Sequence, residues 1–237
     1  MKKQAFDAII FDLDGTLWDS AENVARSWNA AIKQQRFTKS DIMNVMGLTM
    51  DEIAAGFFPD KNEKERRDII AVCCRYENEY LRTHGGVIFR NTKSTLRALS
   101  KKYPLYIVSN CQQGYIEAFL EYYKLDKVIK GTLCWGDTKL PKADNISLLM
   151  KTNRLKKALY VGDTQGDCNS AYKAGAKFAF AEYGFGKADR YDYRLQDISQ
   201  LVHCLAPVRK PKAIEAIGDV FEVIVDIADF IFDIIID

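Results

Sequence analysis

The chain has 237 residues, 48% of them apolar, and a formal charge of +2. That length and composition suit one large domain, or a core with a small second unit, and exclude wholesale disorder. So small a charge, with no basic stripe interleaved with aromatics, argues against a nucleic-acid binder; six cysteines without a C-x-x-C pair, and only two histidines, argue against a structural zinc site.

The stretch from Met1 to Asp7 runs straight into apolar sequence, without the apolar region and cleavage site of a signal peptide. A reducing cytoplasm with free thiols is the expected compartment. Ala8 to Phe11 then reads as a buried strand, and it ends in Asp12-Leu13-Asp14-Gly15-Thr16. Two carboxylates two residues apart, before a Gly turn, suit a phosphoryl-transfer site: one can attack phosphorus while the other moves protons. Taken alone, the same five residues equally describe a solvated turn.

Residues 19–88 carry four helical patterns: Ala21 to Gln35, Ser40 to Met46, Met50 to Phe58, and Glu63 to Arg82, with breaks at Gly47, Pro59 and Gly85-Gly86. This is too long for a connection and predicts a small all-helical insertion. The break Met46 to Met50 either reaches the core site or is a plain turn between helices. Trp18 and Trp28 either line a pocket or fill the interior of the insertion, the latter being commoner for aromatics.

Beyond residue 88 apolar runs alternate with helical patterns. Leu105 to Val108, Ala158 to Val161 and Lys177 to Ala181 read as strands, Val128 to Leu133 as a weaker one. Helices are expected over Gly114 to Tyr123, Asp144 to Met150, Asn169 to Ala174 and Ile198 to Leu205. Such alternation implies a parallel sheet with helices on both faces, and a ligand site beyond the carboxyl ends of its strands. Three polar groups fall at such ends or in a nearby loop. Ser109 and Asn110 offer a hydroxyl and an amide to a phosphate oxygen. Lys142, after Leu140-Pro141, offers an ammonium to neutralise phosphate and nucleophile charge. Gly162 to Asp167 offers carboxylates that can hold a hard cation through oxygen.

Together, Asp12-Leu13-Asp14-Gly15-Thr16, Ser109-Asn110, Lys142, and Gly162-Asp163-Thr164 through Asp167 resemble, in order, the motifs of the haloacid dehalogenase-like hydrolase superfamily. Phe11 to Leu17, followed by Asp19-Ser20, looks like its phosphoglycolate-phosphatase-like branch. The resemblance spans roughly residues 6–206 and covers the insertion only in kind. It implies an α/β fold: a Rossmann-like parallel-sheet core (1–18 and 89–206) with an inserted all-helical cap (19–88). It also implies a Mg²⁺-dependent phosphatase acting on a small phosphorylated metabolite. By the same resemblance Asp12 is the nucleophile and Asp14 the general acid/base. Thr16, Ser109, Asn110 and Lys142 position phosphate. The metal ligands are Asp12, the backbone carbonyl of Asp14, and Asp163, with Asp167 behind them. Family dehalogenases generally lack the second Asp, so Asp14 argues against that chemistry; phosphomutases keep it and remain an alternative. A phosphonate-hydrolysing relative would need a desolvated lysine in the cap, and Lys33, Lys39, Lys61 and Lys64 all sit in polar sequence.

The tail stands apart. Pro207 to Lys212 reads as a basic linker, and Ala213 to Asp237 contains no Lys or Arg, with acids every three or four residues. As one helix it would be roughly 36 Å long, at about 1.5 Å per residue. Its acids recur too often for a membrane span, and it lacks the basic face of an interfacial helix. So wide an apolar surface would pack on its own core, pair with a second copy, or bind another partner; self-association as a homo-oligomer is the favoured reading, and an interaction module with a secondary core the competing one. A strand reading, and an appended segment, also remain open.

Overall fold

The computed structural model describes residues 6–33 and 35–205. In chain order the elements are β1 (Ala8–Phe11), β2 (Trp18–Asp19), α1 (Ala21–Ala31), α2 (Lys39–Met43), α3 (Met50–Phe57), α4 (Glu63–His84), β3 (Val87–Ile88), α5 (Thr92–Ser100), β4 (Leu105–Ser109), α6 (Tyr115–Tyr123), β5 (Gly131–Cys134), α7 (Trp135–Thr138), α8 (Lys142–Thr152), β6 (Ala158–Gly162), α9 (Gln165–Lys173), β7 (Lys177–Ala181), β8 (Tyr193–Leu195) and α10 (Gln200–Cys204).

Six strands form one parallel sheet in the order β5-β4-β1-β6-β7-β8, the expected α/β Rossmann-like core. β1 is central, with β4 on one side and β6 on the other, so the order of strands reverses at its carboxyl end; ligand sites of open α/β sheets lie at such a switch. β1 is buried at all four positions, because a strand covered on both faces needs apolar side chains throughout. Its residues alternate between two apolar cores. Ile9 and Phe11 join Ile107, Val161 and residues of α5, α6 and α10. Ala8 and Ile10 join Val108, Tyr160 and residues of α8 and α9.

The two-residue strands β2 and β3 pair antiparallel, Trp18 with Ile88 and Asp19 with Val87, and α1 to α4 lie between them in sequence. Three of these helices start at capping boxes: Thr38 with Asp41, Thr49 with Glu52, and Asn62 with Glu65. Each box satisfies backbone N–H groups that the first helical turn leaves free. Trp28, Phe37 and Phe57 pack edge to face, and their cluster is continuous with the apolar face of the sheet. α4 ends at Gly85, whose φ of 64° closes the helix against the Tyr122 ring.

Several boundaries differ from the sequence reading. α1 stops at Ala31 rather than Gln35, and the weak strand shifts from 128–133 to Gly131–Cys134. α9 starts at Gln165, four residues earlier than expected, because Thr164 and Asp167 form a further capping box. The short elements β2, β3, α7 and β8, and the helix α5, are findings of the structure. The C-terminal helix expected after residue 206 lies outside the described residues.

Candidate active site

Each polar strand end approaches one point. Asp12 follows β1 directly, Ser109 closes β4, Asp163 follows β6, and Lys142 opens α8. All four side chains are buried. Lys142 Nζ donates to Asp12 Oδ1 at 2.9 Å and to Asp167 Oδ1 at 2.6 Å. Asp167 Oδ2 accepts from Thr164 Oγ1 at 2.7 Å and from the backbone amides of Thr164 and Asp163 at 3.0 and 3.2 Å. The acid of the capping box therefore also anchors the buried lysine.

Carboxylate oxygens of Asp12, Asp163 and Asp167 lie within 4.8 Å of one another. Three carboxylates against one ammonium leave a surplus of two negative charges in a buried place. That donor set, all hard oxygen, fits a divalent cation. Asp167 is the most heavily engaged of the three, with the Lys142 ammonium on one oxygen and three donors on the other, so Asp12 and Asp163 are the carboxylates better placed to ligate. Asp163 Oδ2 accepts from Phe185 and Gly186 backbone amides at 2.8 and 3.3 Å, and its Oδ1 lies 3.4 Å from the Thr16 hydroxyl.

Burial pushes the Asp12 carboxyl well above the usual carboxylate range, with Lys142 opposing and Asp167 and Asp163 adding to the rise. Burial also lifts Asp163, with the charge of Asp167, to about 7. For Lys142, burial works against the ammonium, but Asp12 and Asp167 outweigh it and hold the group well above the ordinary lysine value. The site holds more carboxyl groups than its one ammonium can balance in ionised form.

Asp14 faces elsewhere. Its Oδ1 accepts from Ser20 Oγ at 2.7 Å and from Tyr115 OH at 2.8 Å. Burial raises its pKa to about 6, although both hydroxyls favour the ionised form. Its carboxylate stands outside the three-carboxylate cluster. The two aspartates of the motif thus occupy different environments, one beside an ammonium and the other beside two hydroxyls.

Asp12, Asp14, Ser109 and Asn110 line a cavity roofed by the insertion. The break at residues 46–50 does reach the core: Asn110 Nδ2 donates to the Gly47 carbonyl at 2.8 Å. Thr16 is fully buried with its hydroxyl turned to Asp163. Trp28 lines the cavity, while Trp18 packs edge to face on Tyr115 and Phe119.

Sequence reasoning passed over several groups here. Glu77 of α4 is only 3% exposed and also lines the cavity. Trp28 Nε1 donates to its Oε2 at 2.5 Å and Gln112 Nε2 to its Oε1 at 3.0 Å. Burial raises its pKa to about 7 against those two hydrogen bonds, and the charge of Asp14 adds to the rise. A signal existed: the buried positions of α4 are Ile70, Cys73, Glu77 and Leu81, so this glutamate interrupts an apolar stripe of helical spacing. Gly184, packed against the motif's turn glycine Gly15 at φ 77°, is a second omission. A Cβ on Gly15 would collide with the Asp163 carboxylate, and one on Gly184 with the Gly15 carbonyl and Asp163 Cβ.

Comparison with other proteins agrees with this geometry. The family model described as haloacid dehalogenase-like hydrolase matches residues 9–181. The chain belongs to that family. Within it, the chain is an enzyme of the phosphatase type, akin to the phosphoglycolate-phosphatase-like branch. It is 29% identical to the phosphoglycolate phosphatase of Aquifex aeolicus over 82% of this chain and 94% of that protein. It is 25% identical to the pyrophosphatase PpaX of Bacillus velezensis over 86% of this chain and 98% of that protein. The crystal structure of a predicted phosphoglycolate phosphatase from Haemophilus somnus superposes with a TM-score of 0.72 at 26% identity, covering 84% of this chain and 97% of that one. Among the described residues no helix is long and apolar enough to cross a membrane.

Proposed function

We propose that this chain is a Mg²⁺-dependent phosphatase that hydrolyses a small phosphate monoester through an aspartyl-phosphate on Asp12. The observation that carries the reading is the division of labour between the two buried aspartates: Asp12 is 2.9 Å from the Lys142 ammonium, while Asp14, with a pKa near 6, is held apart by Ser20 and Tyr115.

An Asp12 oxygen attacks phosphorus and the ester P–O bond breaks. Asp14, protonated, gives its proton to the departing alkoxide. Asp14, now ionised, takes a proton from water as that water attacks the acyl phosphate, and phosphate leaves. A pKa near 6 suits a group that serves as acid and then as base. Lys142 offsets charge on Asp12 and on the entering phosphoryl group. Ser109 orients a phosphate oxygen at the carboxyl end of β4, Asn110 contributes its backbone N–H there because its side-chain amide is spent on the Gly47 carbonyl, and Thr16 steadies Asp163. Asp12, Asp163 and the backbone carbonyl of Asp14 would hold the Mg²⁺. Bound there, a divalent cation reduces repulsion between the phosphate and the nucleophile. Helices α1 to α4, residues 19–88, act as the cap that covers this chemistry, and the Gly85-Gly86 pair as a hinge.

The test is hydrolysis of p-nitrophenyl phosphate by the full chain, with Mg²⁺ and then with chelator, beside the Asp12→Asn variant. Metal-dependent turnover lost in the variant is the expected result. Metal-independent turnover, or full activity of the variant, would reject the mechanism.

A further inference from the structure

The cavity that runs from the phosphoryl site up to the insertion has an unbalanced lining. Asp12, Asp14 and Glu77 line it, and among the described residues no Lys, Arg or His does. The remaining walls are largely apolar, with Trp28, Met46 and Ile53 among them. Lys142 is committed to Asp12 and Asp167 at the other end.

Two buried oxygens on residues lining the cavity lack a hydrogen-bond donor among the described residues. Gln112 is 7% exposed, and its Oε1 has no partner among the described residues. The orientation of that amide follows from its surroundings. Nε2 donates to Glu77 Oε1 at 3.0 Å and to Asn78 Oδ1 at 3.1 Å, and Asn78 in turn donates through Nδ2 to the Gln113 carbonyl. Reversing the Gln112 amide would set oxygen against two acceptors. Asn110 repeats the pattern: Nδ2 is spent on the Gly47 carbonyl and Oδ1 is unpartnered. Glu77 receives one donor on each oxygen, which leaves lone pairs on both. Buried acceptors without donors are costly, and a ligand that brings donors removes that cost.

We infer that Glu77 and Gln112 read the leaving-group end of the substrate, and that this end is a short alcohol carrying a hydroxyl or ammonium donor and no anionic group. This rests on the phosphatase reading above and names the substrate class of the same site. A carboxylate or a second phosphate at this end would be buried beside Glu77 with no basic side chain among the described lining residues to meet it. The cavity therefore selects against phosphoglycolate and pyrophosphate, the compounds for which the relatives from Aquifex aeolicus and Bacillus velezensis are named. A hydroxyl or an ammonium satisfies the same acceptors, and the charge of Glu77 tells them apart.

The experiment measures kcat/KM of the full chain with Mg²⁺ on five monophosphates or anhydrides: phosphoethanolamine, glycerol phosphate, n-propyl phosphate, phosphoglycolate and pyrophosphate. p-Nitrophenyl phosphate with and without chelator reports the phosphatase chemistry separately. At least one donor-bearing ester should exceed n-propyl phosphate by about 10-fold and phosphoglycolate and pyrophosphate by about 10²-fold, the scale on which a site built for a hydrogen-bonding group rejects a wrong one. Preference for phosphoethanolamine identifies an ammonium, preference for glycerol phosphate a hydroxyl. Glu77→Gln keeps the volume and should narrow the ratio of the preferred donor-bearing ester to phosphoglycolate by about 10-fold or more, mostly through KM. If phosphoglycolate or pyrophosphate matches or beats both donor-bearing esters, the inference is wrong while the phosphatase reading stands. It is equally wrong if Glu77→Gln slows every substrate alike, since that marks a strut between α1, α4 and the core. No metal-dependent turnover of any compound, p-nitrophenyl phosphate included, overturns both readings together.

Discussion

At the floor of the cavity the buried charges are tied together: Lys142 bridges Asp12 and Asp167, and Asp167 spends its other oxygen on the first turn of α9. At its roof the pattern reverses. Glu77 is held by two donors, but among the described residues Gln112 Oε1 has none, and no basic side chain lines the space. The floor is a preorganised charge network, suited to one invariant chemical step. The roof has acceptors to fill, suited to recognition. Reaction and specificity are thus built from different kinds of incompleteness: the floor lacks positive charge, the roof lacks hydrogen-bond donors.

Substitutions can break that contrast at either end. The largest effect is expected at Asp12, because no other floor carboxylate is free to replace it. Asp12→Asn should lower Mg²⁺-dependent phosphate release by at least about 10³-fold, with weaker Mg²⁺ binding by titration calorimetry. Lys142→Ala comes next. It should cost about 10²- to 10³-fold in kcat. It should also cost metal-free stability by roughly 3–5 kcal/mol in urea unfolding, since two buried carboxylates lose their counter-charge.

The two ends should also respond together to pH. Asp14 near 6, and Asp163 and Glu77 near 7, all bind their protons more tightly folded than unfolded. Their contribution to stability is complete below about pH 4, the unfolded carboxyl range, and is lost as pH rises through 6 and 7. Metal-free protein should therefore melt several degrees lower at pH 8 than at pH 5 in scanning calorimetry. Mg²⁺ should recover part of the loss, because it favours an ionised Asp163; Glu77→Gln should recover another part without metal. An unchanged melting temperature across that range would mean these acids carry no such strain. The smallest effect is at Tyr115. Tyr115→Phe removes one donor that favours ionised Asp14, so the rate profile governed by Asp14 should move to higher pH, with kcat changing less than about tenfold.

How much of this was legible in the sequence follows from the same contrast. The floor is written in short strings at strand ends, where a continuous apolar run stops at a carboxylate: Ile10-Phe11-Asp12 and Tyr160-Val161-Gly162-Asp163 show it directly. β1, β4, β6 and β7 were readable for the same reason, as strands buried on both faces. The roof has no such punctuation. Glu77 sits among Arg75, Asn78 and Glu79 in a helix rich in charge, and only its place between Cys73 and Leu81 on one stripe marks it as buried. Gln112 looks like loop material until Asn78 and Glu77 are seen to fix its amide. The strands β2, β3 and β8 are two or three residues long, too short for any period to show. The early start of α9 is hard to read because one residue, Asp167, is both a site carboxylate and the acid of the capping box, and the apolar pattern begins only after it.

Gly184 carries a consequence for inheritance rather than for chemistry. It presents no functional group, yet the room a single methyl would need is taken by the Gly15 carbonyl and the Asp163 side chain. A survey of tolerated substitutions along this chain would rank it with the aspartates. Some positions are indispensable to an enzyme because of the atoms they withhold.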